Sequence, residues 1–245
     1  MKHDKIRIAK LLANYNQGSR REVEKLINEK KVYLNGKLVV SPVTFVDKND
    51  DITINKKKIK FVKKVEILKF YKPKNILCSK SKQDDRQIVY EIIHSKYKNF
   101  IFAGRLDYKS EGLMILTNSS LICRNLELPI NKFDRVYEVR VYGEFKLNNL
   151  DKISNGTVIN QIKYKPFKYK IMSKIKKNTN LHMTLQEGKK NEIREIFKSL
   201  NLQVNKLKRI SYGPFNLHNM QPGNIEKVSK YELNKYENYI RFKKR

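Results

Sequence analysis

The chain has 245 residues, with 54 Lys or Arg against 24 Asp or Glu, so its formal net charge at pH 7 is +30. No apolar run approaches the roughly 18 residues of a membrane-spanning helix, and the first residues are too charged for a signal-peptide core. We therefore expect a cytoplasmic protein rather than a membrane-inserted or secreted one. The charge favours a polyanionic partner such as RNA, DNA or an anionic membrane surface.

Cysteine and histidine usage argues against a metal centre. Cys78 and Cys123 are few and far apart, and the four His residues show no ligand spacing. Cytosolic proteins seldom carry disulfides, so both cysteines are expected to be reduced structural thiols.

The N-terminal part has the pattern of two short helices followed by a hairpin. Apolar residues at helical spacing indicate the first helix: Ile8, Leu11, Leu12 and Tyr15. Ser19 and Glu22 form a capping box that begins the second, in which hydroxyl and carboxylate each satisfy a free backbone amide. Asn35-Gly36 lies between two apolar runs and predicts a type I′ hairpin, and Ile52-Thr53-Ile54 predicts a further strand.

The cations of this part are placed where a helix alone would not favour them. Arg20 and Arg21 occupy the first turn of the second helix, where positive charge opposes the helix dipole. Lys31 and Lys37 follow at its far end and on the hairpin. A phosphate backbone would compensate these charges, so we expect them to bind nucleic acid; a generic basic surface is the alternative.

A charged linker over Lys56–Lys64 predicts a domain boundary, with domains at 1–62 and 63–245. The second domain reads as many strands with few helices, which predicts an α+β fold with a mostly antiparallel sheet. The predicted strands are Val65–Tyr71, Phe100–Ala103, Leu113–Leu116, Val136–Tyr142, Pro166–Met172, Leu181–Leu185 and Val204–Ile210. The predicted helices are Gln87–His94, Ser120–Leu126, Asn191–Leu200 with Asn191 as N-cap, and one capped by Ser229 before the basic tail Arg241–Arg245.

The loop Gly104-Arg105-Leu106-Asp107 lies between two of these short buried strands. Loops held by core strands are where a scaffold presents reactive side chains. The alternative is that Asp107 and Arg105 form an ordinary exposed ion pair, which contributes only about 0–1 kcal/mol.

Motifs along the chain resemble two known families. R-I-A-K-L-L-A, S-R-R-E-V-E-K-L-I and V-Y-L-N-G-K-L-V occur in the order typical of the S4 RNA-binding domain. The rest resembles the bacterial ribosomal RNA pseudouridine synthases that carry such a domain. The motifs are Tyr71-Lys72-Pro73, G-R-L-D with L-T-N, Val136-Tyr137-Glu138-Val139, Glu187-Gly188-Lys189 with Glu192-Ile193-Arg194, and Leu207-Lys208-Arg209 with Tyr212-Gly213-Pro214.

The resemblance implies isomerisation of uridine to pseudouridine in ribosomal RNA, without metal or cofactor. It assigns catalysis to Asp107, which either attacks the nucleotide or removes a sugar proton. Arg194 would be the cation that keeps this carboxylate ionised in a closed pocket. Tyr137 would stack on the uracil, and Arg105 would fill the gap left when the uridine flips out. Lys189 and Lys190, with the four N-terminal cations, are the expected RNA contacts.

Purely structural roles are the alternatives for two of these side chains. Arg194 could be a surface residue paired with Glu187, Glu192 or Glu195, and Tyr137 could be a core aromatic. Two departures from the family pattern also stand out. Asn75 replaces a Gly, although Asn tolerates a left-handed backbone, and Asn191 replaces an Arg, which removes a cation beside the catalytic helix.

The target and the competing functions follow from similarity and from charge. E-I-R-E-I and S-Y-G-P-F look more like the large-subunit group than the small-subunit group. The expected partner is ribosomal RNA or a pre-ribosomal particle, bound by a monomer. A non-catalytic RNA-binding or ribosome-assembly factor is the second hypothesis, and the presence of Asp107, Tyr137 and Arg194 argues against it. A DNA- or membrane-binding protein lacks a recognition helix or an amphipathic anchor.

Overall fold

The computed structural model describes residues 5–15, 17–47, 49–59 and 65–242. The predicted boundary between residues 62 and 63 lies outside these ranges, as do residues 60–64 of the linker and 243–245 of the basic tail. The chain divides into two compact units. The first comprises Met1–Glu66, Asn99–Ile101 and Thr117–Arg124; the second comprises Ile67–Lys98, Phe102–Leu116 and Asn125–Arg245.

The described residues up to 59, which form the N-terminal part of the first unit, have two helices and short strands around an apolar core. The elements are β1 (Ile6–Arg7), α1 (Ile8–Asn14), α2 (Arg20–Asn28), β2 (Val32–Leu34), β3 (Lys37–Leu38), β4 (Phe45–Val46), β5 (Ile52–Ile54) and β6 (Lys57–Lys58). The strands form a sheet of order β3-β2-β5-β6 and a separate β1-β4 pair. Ile8, Leu12 and Val23 from the helices pack with Val32 and Ile52 from the sheet.

Both local signals of this unit are confirmed. The Ser19 Oγ accepts from the Glu22 N–H at 3.2 Å, and the Glu22 carboxylate accepts from the Ser19 N–H at 2.5 Å. Asn35 and Gly36 have φ of 48° and 79°, the two positive values that a type I′ turn requires.

The described residues 65–242 hold a nine-stranded sheet, a separate two-stranded hairpin and helices. The strands of the sheet and the hairpin together are β7 (Ile67–Lys72), β8 (Ile101–Ala103), β9 (Glu111–Thr117), β10 (Arg135–Tyr142), β11 (Thr157–Ile159), β12 (Ile162–Tyr164), β13 (Lys168–Ile175), β14 (Asn178–Leu185), β15 (Gln203–Tyr212), β16 (Phe215–Asn216) and β17 (Ile225–Lys227). The helices are α3 (Val89–Ile92), α4 (Ser120–Glu127), α5 (Leu147–Ser154), α6 (Glu192–Ser199) and α7 (Lys230–Phe242).

Strand order and direction confirm the predicted α+β class with a mostly antiparallel sheet. The order is β13-β14-β10-β15-β9-β7-β17, with β16 added to β15 and β8 to β9, while β11 and β12 form a separate hairpin. β10 runs antiparallel to both β14 and β15, whereas β9 and β15 run parallel. Helix α6 packs Ile193, Ile196 and Phe197 into the core that these strands share.

The predicted helix over Gln87–His94 is shorter in the structure and begins only at Val89. Its first residues are extended instead, because Leu77 exchanges backbone hydrogen bonds with Gln87 and Val89 and bridges Ile88. Tertiary pairing therefore overrides the helical spacing here. Helix α5 and the β11–β12 hairpin are absent from the sequence prediction.

Candidate active site

Asp107 lies half-buried on the loop between β8 and β9, as predicted. Its carbonyl accepts from the Ser110 N–H at 2.9 Å, which closes a turn over the intervening residues. The Asn75 N–H donates to the Tyr108 carbonyl at 2.8 Å. Asn75 has φ of 62°, so Asn does adopt the left-handed backbone expected of it. The loop is thus held from both sides by backbone hydrogen bonds.

Lys72 anchors the same loop from beneath, although sequence reasoning gave it no role. The residue is 0% exposed. Its Nζ donates to the carbonyls of Ser110 at 2.8 Å, Pro73 at 2.9 Å and Asp107 at 3.4 Å. Burial lowers the pKa of Lys72 to about 8, against the opposing charges of Cys78 and Asp107. The sequence feature that could have pointed to Lys72 was its position before a proline at the end of an apolar strand.

Arg194, near the start of α6, reaches both the sheet and the loop. Its Nη1 donates to the Val204 carbonyl at 3.0 Å and its Nη2 to the Lys109 carbonyl at 3.2 Å. Burial lowers the pKa of Arg194, and the negative charge of Asp107 opposes that effect. The guanidinium therefore lies within electrostatic reach of the Asp107 carboxylate. Lys109, which it contacts, is two residues after Asp107 on the same loop.

Tyr137 lies on β10, the strand next to β15 in the sheet. Its register partner on β15 is Arg209, and the partner of Arg209 on β9 is Gly112, so the three residues form one row across three strands. Two strand spacings are about 10 Å. Tyr137 is half-buried and packs against the core beneath α6. The sheet thus carries Tyr137 toward the strand that Asp107 precedes.

Gly112 is what allows β9 and β15 to approach each other here. A Cβ at this position would lie 2.3 Å from the Arg209 carbonyl oxygen, and its φ is +111°. Both the contact and the backbone conformation exclude a side chain.

A second polar group lies close to the loop at the start of β9. The Tyr71 hydroxyl donates to Glu111 at 3.0 Å, and the Lys208 Nζ lies 5.3 Å from the centre of the Tyr71 ring. Burial, reinforced by the Glu111 charge, raises the pKa of Tyr71. None of these three was singled out from sequence, although each lies within a quoted motif or just beyond it.

The other predicted RNA contacts of this unit differ in exposure. Arg105 and Lys190 are exposed. The Lys189 ammonium is instead held by Glu187 at 3.2 Å, by the Tyr164 ring at 5.2 Å and by the Lys163 carbonyl. Lys189 would have to give up these contacts to bind a phosphate.

In the N-terminal unit, Arg20, Arg21 and Lys37 are exposed, and Lys31 forms an ion pair with Glu29 at 2.6 Å. The two arginines stand in the first turn of a capped helix, as predicted.

The predicted capping role of Asn191 is wrong in one respect. Asn191 does precede α6, but its side chain makes no capping hydrogen bond and its φ is 54°. The N–H of Lys189 is instead bound by the carboxylate of Glu192 at 3.0 Å. A side chain inside the helix therefore stabilises the preceding turn.

Comparison with known proteins agrees with this architecture. Residues 66–199 match the family described as RNA pseudouridylate synthase, and residues 6–52 match the S4 domain. A Rickettsia typhi protein named as an RNA pseudouridine synthase is 37% identical over 96% of this chain and 98% of its own length. The ribosomal large subunit pseudouridine synthase B of Bacillus subtilis is 30% identical over 93% of each chain.

A solved pseudouridylate synthase structure has the same fold, with a TM-score of 0.67 at 22% identity over 94% of this chain and 99% of that one. The chain belongs to the RNA pseudouridylate synthase family and carries an S4 domain. It is thus an enzyme that forms pseudouridine in RNA. Within the described residues, no helix combines the length and apolarity needed to cross a bilayer. The same residues hold no cluster of three metal-ligating side chains.

Proposed function

We propose that the protein converts one uridine in a stem-loop of large-subunit ribosomal RNA to pseudouridine, with Asp107 as its catalytic residue. The reaction breaks the bond between N1 and the sugar, turns the uracil and joins C5 to the same sugar carbon. One proton leaves C5 and one is gained at N1, so no atoms or electrons enter or leave. We also propose that it works in the cytoplasm as a monomer on ribosomal RNA or a pre-ribosomal particle.

The observation that carries the assignment is the arrangement of Arg194 and Asp107. Arg194 donates to the Lys109 carbonyl of the loop, and the negative charge of Asp107 acts on the Arg194 guanidinium. A carboxylate facing a bound base would lose water, and a guanidinium within electrostatic reach would then favour its ionised form. Ionised Asp107 is required whether it attacks the nucleotide or removes a sugar proton.

Tyr137 would support the base during its rotation. Its ring lies at the surface of the sheet, half-buried on the strand beside β15. A ring fixed on one face by the core offers its other face for stacking, which commonly holds an unstacked RNA base. The hydroxyl is then available to assist proton transfer from C5.

The cations suit binding of the RNA around this base. Exposed Arg105 lies on the same loop as Asp107 and would fill the gap that the flipped uridine leaves. Arg20, Arg21, Lys31 and Lys37 of the S4 domain would bind phosphates. Lys189 and Lys190 would do so next to α6.

The test maps pseudouridine in ribosomal RNA from cells lacking the gene, complemented with wild type, Asp107→Asn or Asp85→Asn. Asp85 is an exposed acid of another loop and serves as the matched control. We expect one large-subunit position to lose its modification and to regain it with wild type and Asp85→Asn only. Restoration by Asp107→Asn would refute the role of Asp107. Loss at a small-subunit position would change the target, and loss at no position would favour an RNA-binding factor.

A further inference from the structure

Two carboxyl groups lie buried side by side where the chain enters α6. Glu187 is 7% and Glu192 5% exposed. Both contact Lys189, since Glu192 accepts from its N–H at 3.0 Å and Glu187 faces its ammonium at 3.2 Å. Buried acids are rare unless they are paired or serve a purpose. The catalytic scheme above uses neither of them.

Their surroundings set the pKa values of the two groups apart. Glu187 accepts from the Lys165 N–H at 2.7 Å and faces the Lys189 ammonium at 3.2 Å. Although burial raises the pKa of Glu187, these contacts hold it below its ordinary value. Burial and the adjacent Glu187 charge raise the pKa of Glu192. Of the two, Glu192 is therefore the one that keeps its proton to higher pH.

Glu192 also binds the turn before its helix. One of its oxygens accepts from the Lys189 N–H at 3.0 Å. Asn191 has a left-handed φ of 54° and offers no side-chain cap. Asn tolerates such a backbone, but it supplies no cap here, so the turn depends on other contacts. Glu192 and Glu187 provide two of them, because both contact Lys189 just before Asn191.

We propose that Glu187 and Glu192 form a positioning pair for Arg194, holding the turn that leads into α6 through their contacts with Lys189. Arg194 lies two residues after Glu192 and extends to the loop of Asp107. A turn that loosens would move the guanidinium away from the carboxylate that it supports. The inference rests on the proposed function, since it concerns the same active site.

Other charged or titratable groups near the two carboxyl groups do not replace the contact of Glu192 with the Lys189 N–H. They are Lys189 of the turn, Tyr164 of β12, Glu195 of α6, and Arg135, whose guanidinium lies beside Gly188.

The experiment compares wild type with Glu192→Gln, Glu192→Ala and the control Glu195→Gln on the same helix. It measures kcat and KM for pseudouridine formation on a ribosomal RNA fragment from about pH 5.5 to 8.5, a range that brackets a raised carboxyl pKa. The amide of Glu192→Gln is uncharged and accepts from the Lys189 N–H at every pH. We expect it to keep the wild-type kcat at low pH and to lack the wild-type decline at high pH.

For Glu192→Ala we expect kcat to fall about 100-fold with KM nearly unchanged, the effect of a misplaced catalytic group. Glu195→Gln should follow the wild-type profile. A wild-type kcat in Glu192→Ala, or the same alkaline decline in Glu192→Gln as in wild type, would overturn the proposal. If Glu192→Ala does not fold, the comparison of Glu192→Gln with wild type decides alone.

Unfolding in urea tests the raised pKa of Glu192 without any RNA. Between about pH 4.5 and 7 the unfolded state releases the Glu192 proton while the folded state keeps it, so wild type loses stability as pH rises. Glu192→Gln should therefore gain stability relative to wild type across that window. A difference that does not change with pH overturns the pair. An inactive wild type instead refutes the proposed function, so the two failures are distinguishable.

Discussion

The ammonium of Lys72, shielded from solvent, lies 3.4 Å from the main-chain carbonyl of Asp107. It also binds the Ser110 carbonyl at 2.8 Å. One side chain on β7 therefore closes both ends of the turn that carries the proposed catalytic aspartate. Because the bonds go to main-chain atoms, Lys72 fixes the path of the loop and leaves the carboxylate free.

Replacement of Lys72 by Met should therefore reduce activity through the loop. The variant keeps the stem of the side chain but leaves buried carbonyls without donors, at a cost of about 1–3 kcal/mol in unfolding free energy. Lys69→Met is the matched control, since Lys69 is buried on the same strand and pairs with Glu232 at 3.3 Å. Urea unfolding and kcat are measured for both. We expect both to be destabilised and only Lys72→Met to lose kcat; equal losses would contradict the role of Lys72.

Local rules were enough to predict much of the fold. The capping box of Ser19 and Glu22 and the Asn35-Gly36 turn each depend on residues close in sequence, so their geometry could be read directly. Helix α7 begins likewise, with the Ser229 Oγ accepting from the Glu232 N–H at 3.1 Å. The position of Asp107 on a loop between strands followed from two bounded apolar runs.

The contacts that complete the site were not accessible in this way. Lys72 finds its acceptors 35 and 38 residues away, and no periodicity encodes such a pairing. Glu192 was considered only as one of three acids that could pair with Arg194, yet it is buried, as is Glu187. The motif letters pointed to both regions, but only tertiary packing reveals which polar groups are desolvated.

The close approach of β9 to β15 predicts that Gly112 cannot be replaced. The Cβ in Gly112→Ala would overlap the Arg209 carbonyl, and a backbone group cannot rotate away. Gly104→Ala is the control, because Gly104 has φ of +76° but nothing within 4 Å of its Cβ position. We expect Gly104→Ala to cost about 1–2 kcal/mol from backbone strain alone and Gly112→Ala more than about 4 kcal/mol. Urea unfolding measures both, and equal costs would mean that the strands yield easily.

The two hydrogen bonds of Arg194 predict that lysine will not substitute for it. Lysine keeps the charge but cannot span the Val204 and Lys109 carbonyls with a planar fork. One lost charged hydrogen bond is worth about 1.5–3 kcal/mol, so kcat should fall roughly 10- to 100-fold. Lys198→Gln, an exposed change on the same helix, is the control for steady-state kinetics. An unchanged kcat in Arg194→Lys would show that charge alone is sufficient.

The last prediction concerns the exposed arginines of the S4 domain. Arg20 and Arg21 lie where the dipole of α2 disfavours cations, so their benefit is expected in RNA binding rather than in stability. Each phosphate contact contributes about 0.7–0.9 to the slope of log affinity against log salt. Arg20→Gln/Arg21→Gln should reduce that slope by about 1.4–1.8 units and leave kcat at saturating RNA unchanged.

The matched control for this pair removes two exposed lysines from the other unit, Lys227→Gln/Lys230→Gln, and gives the same net charge. Affinity for a ribosomal RNA fragment is measured over a series of salt concentrations for both double variants. If the slope falls equally in both, the arginines act only through total charge. If it falls in the arginine variant alone, they bind phosphates directly, because counterion release counts contacts rather than net charge.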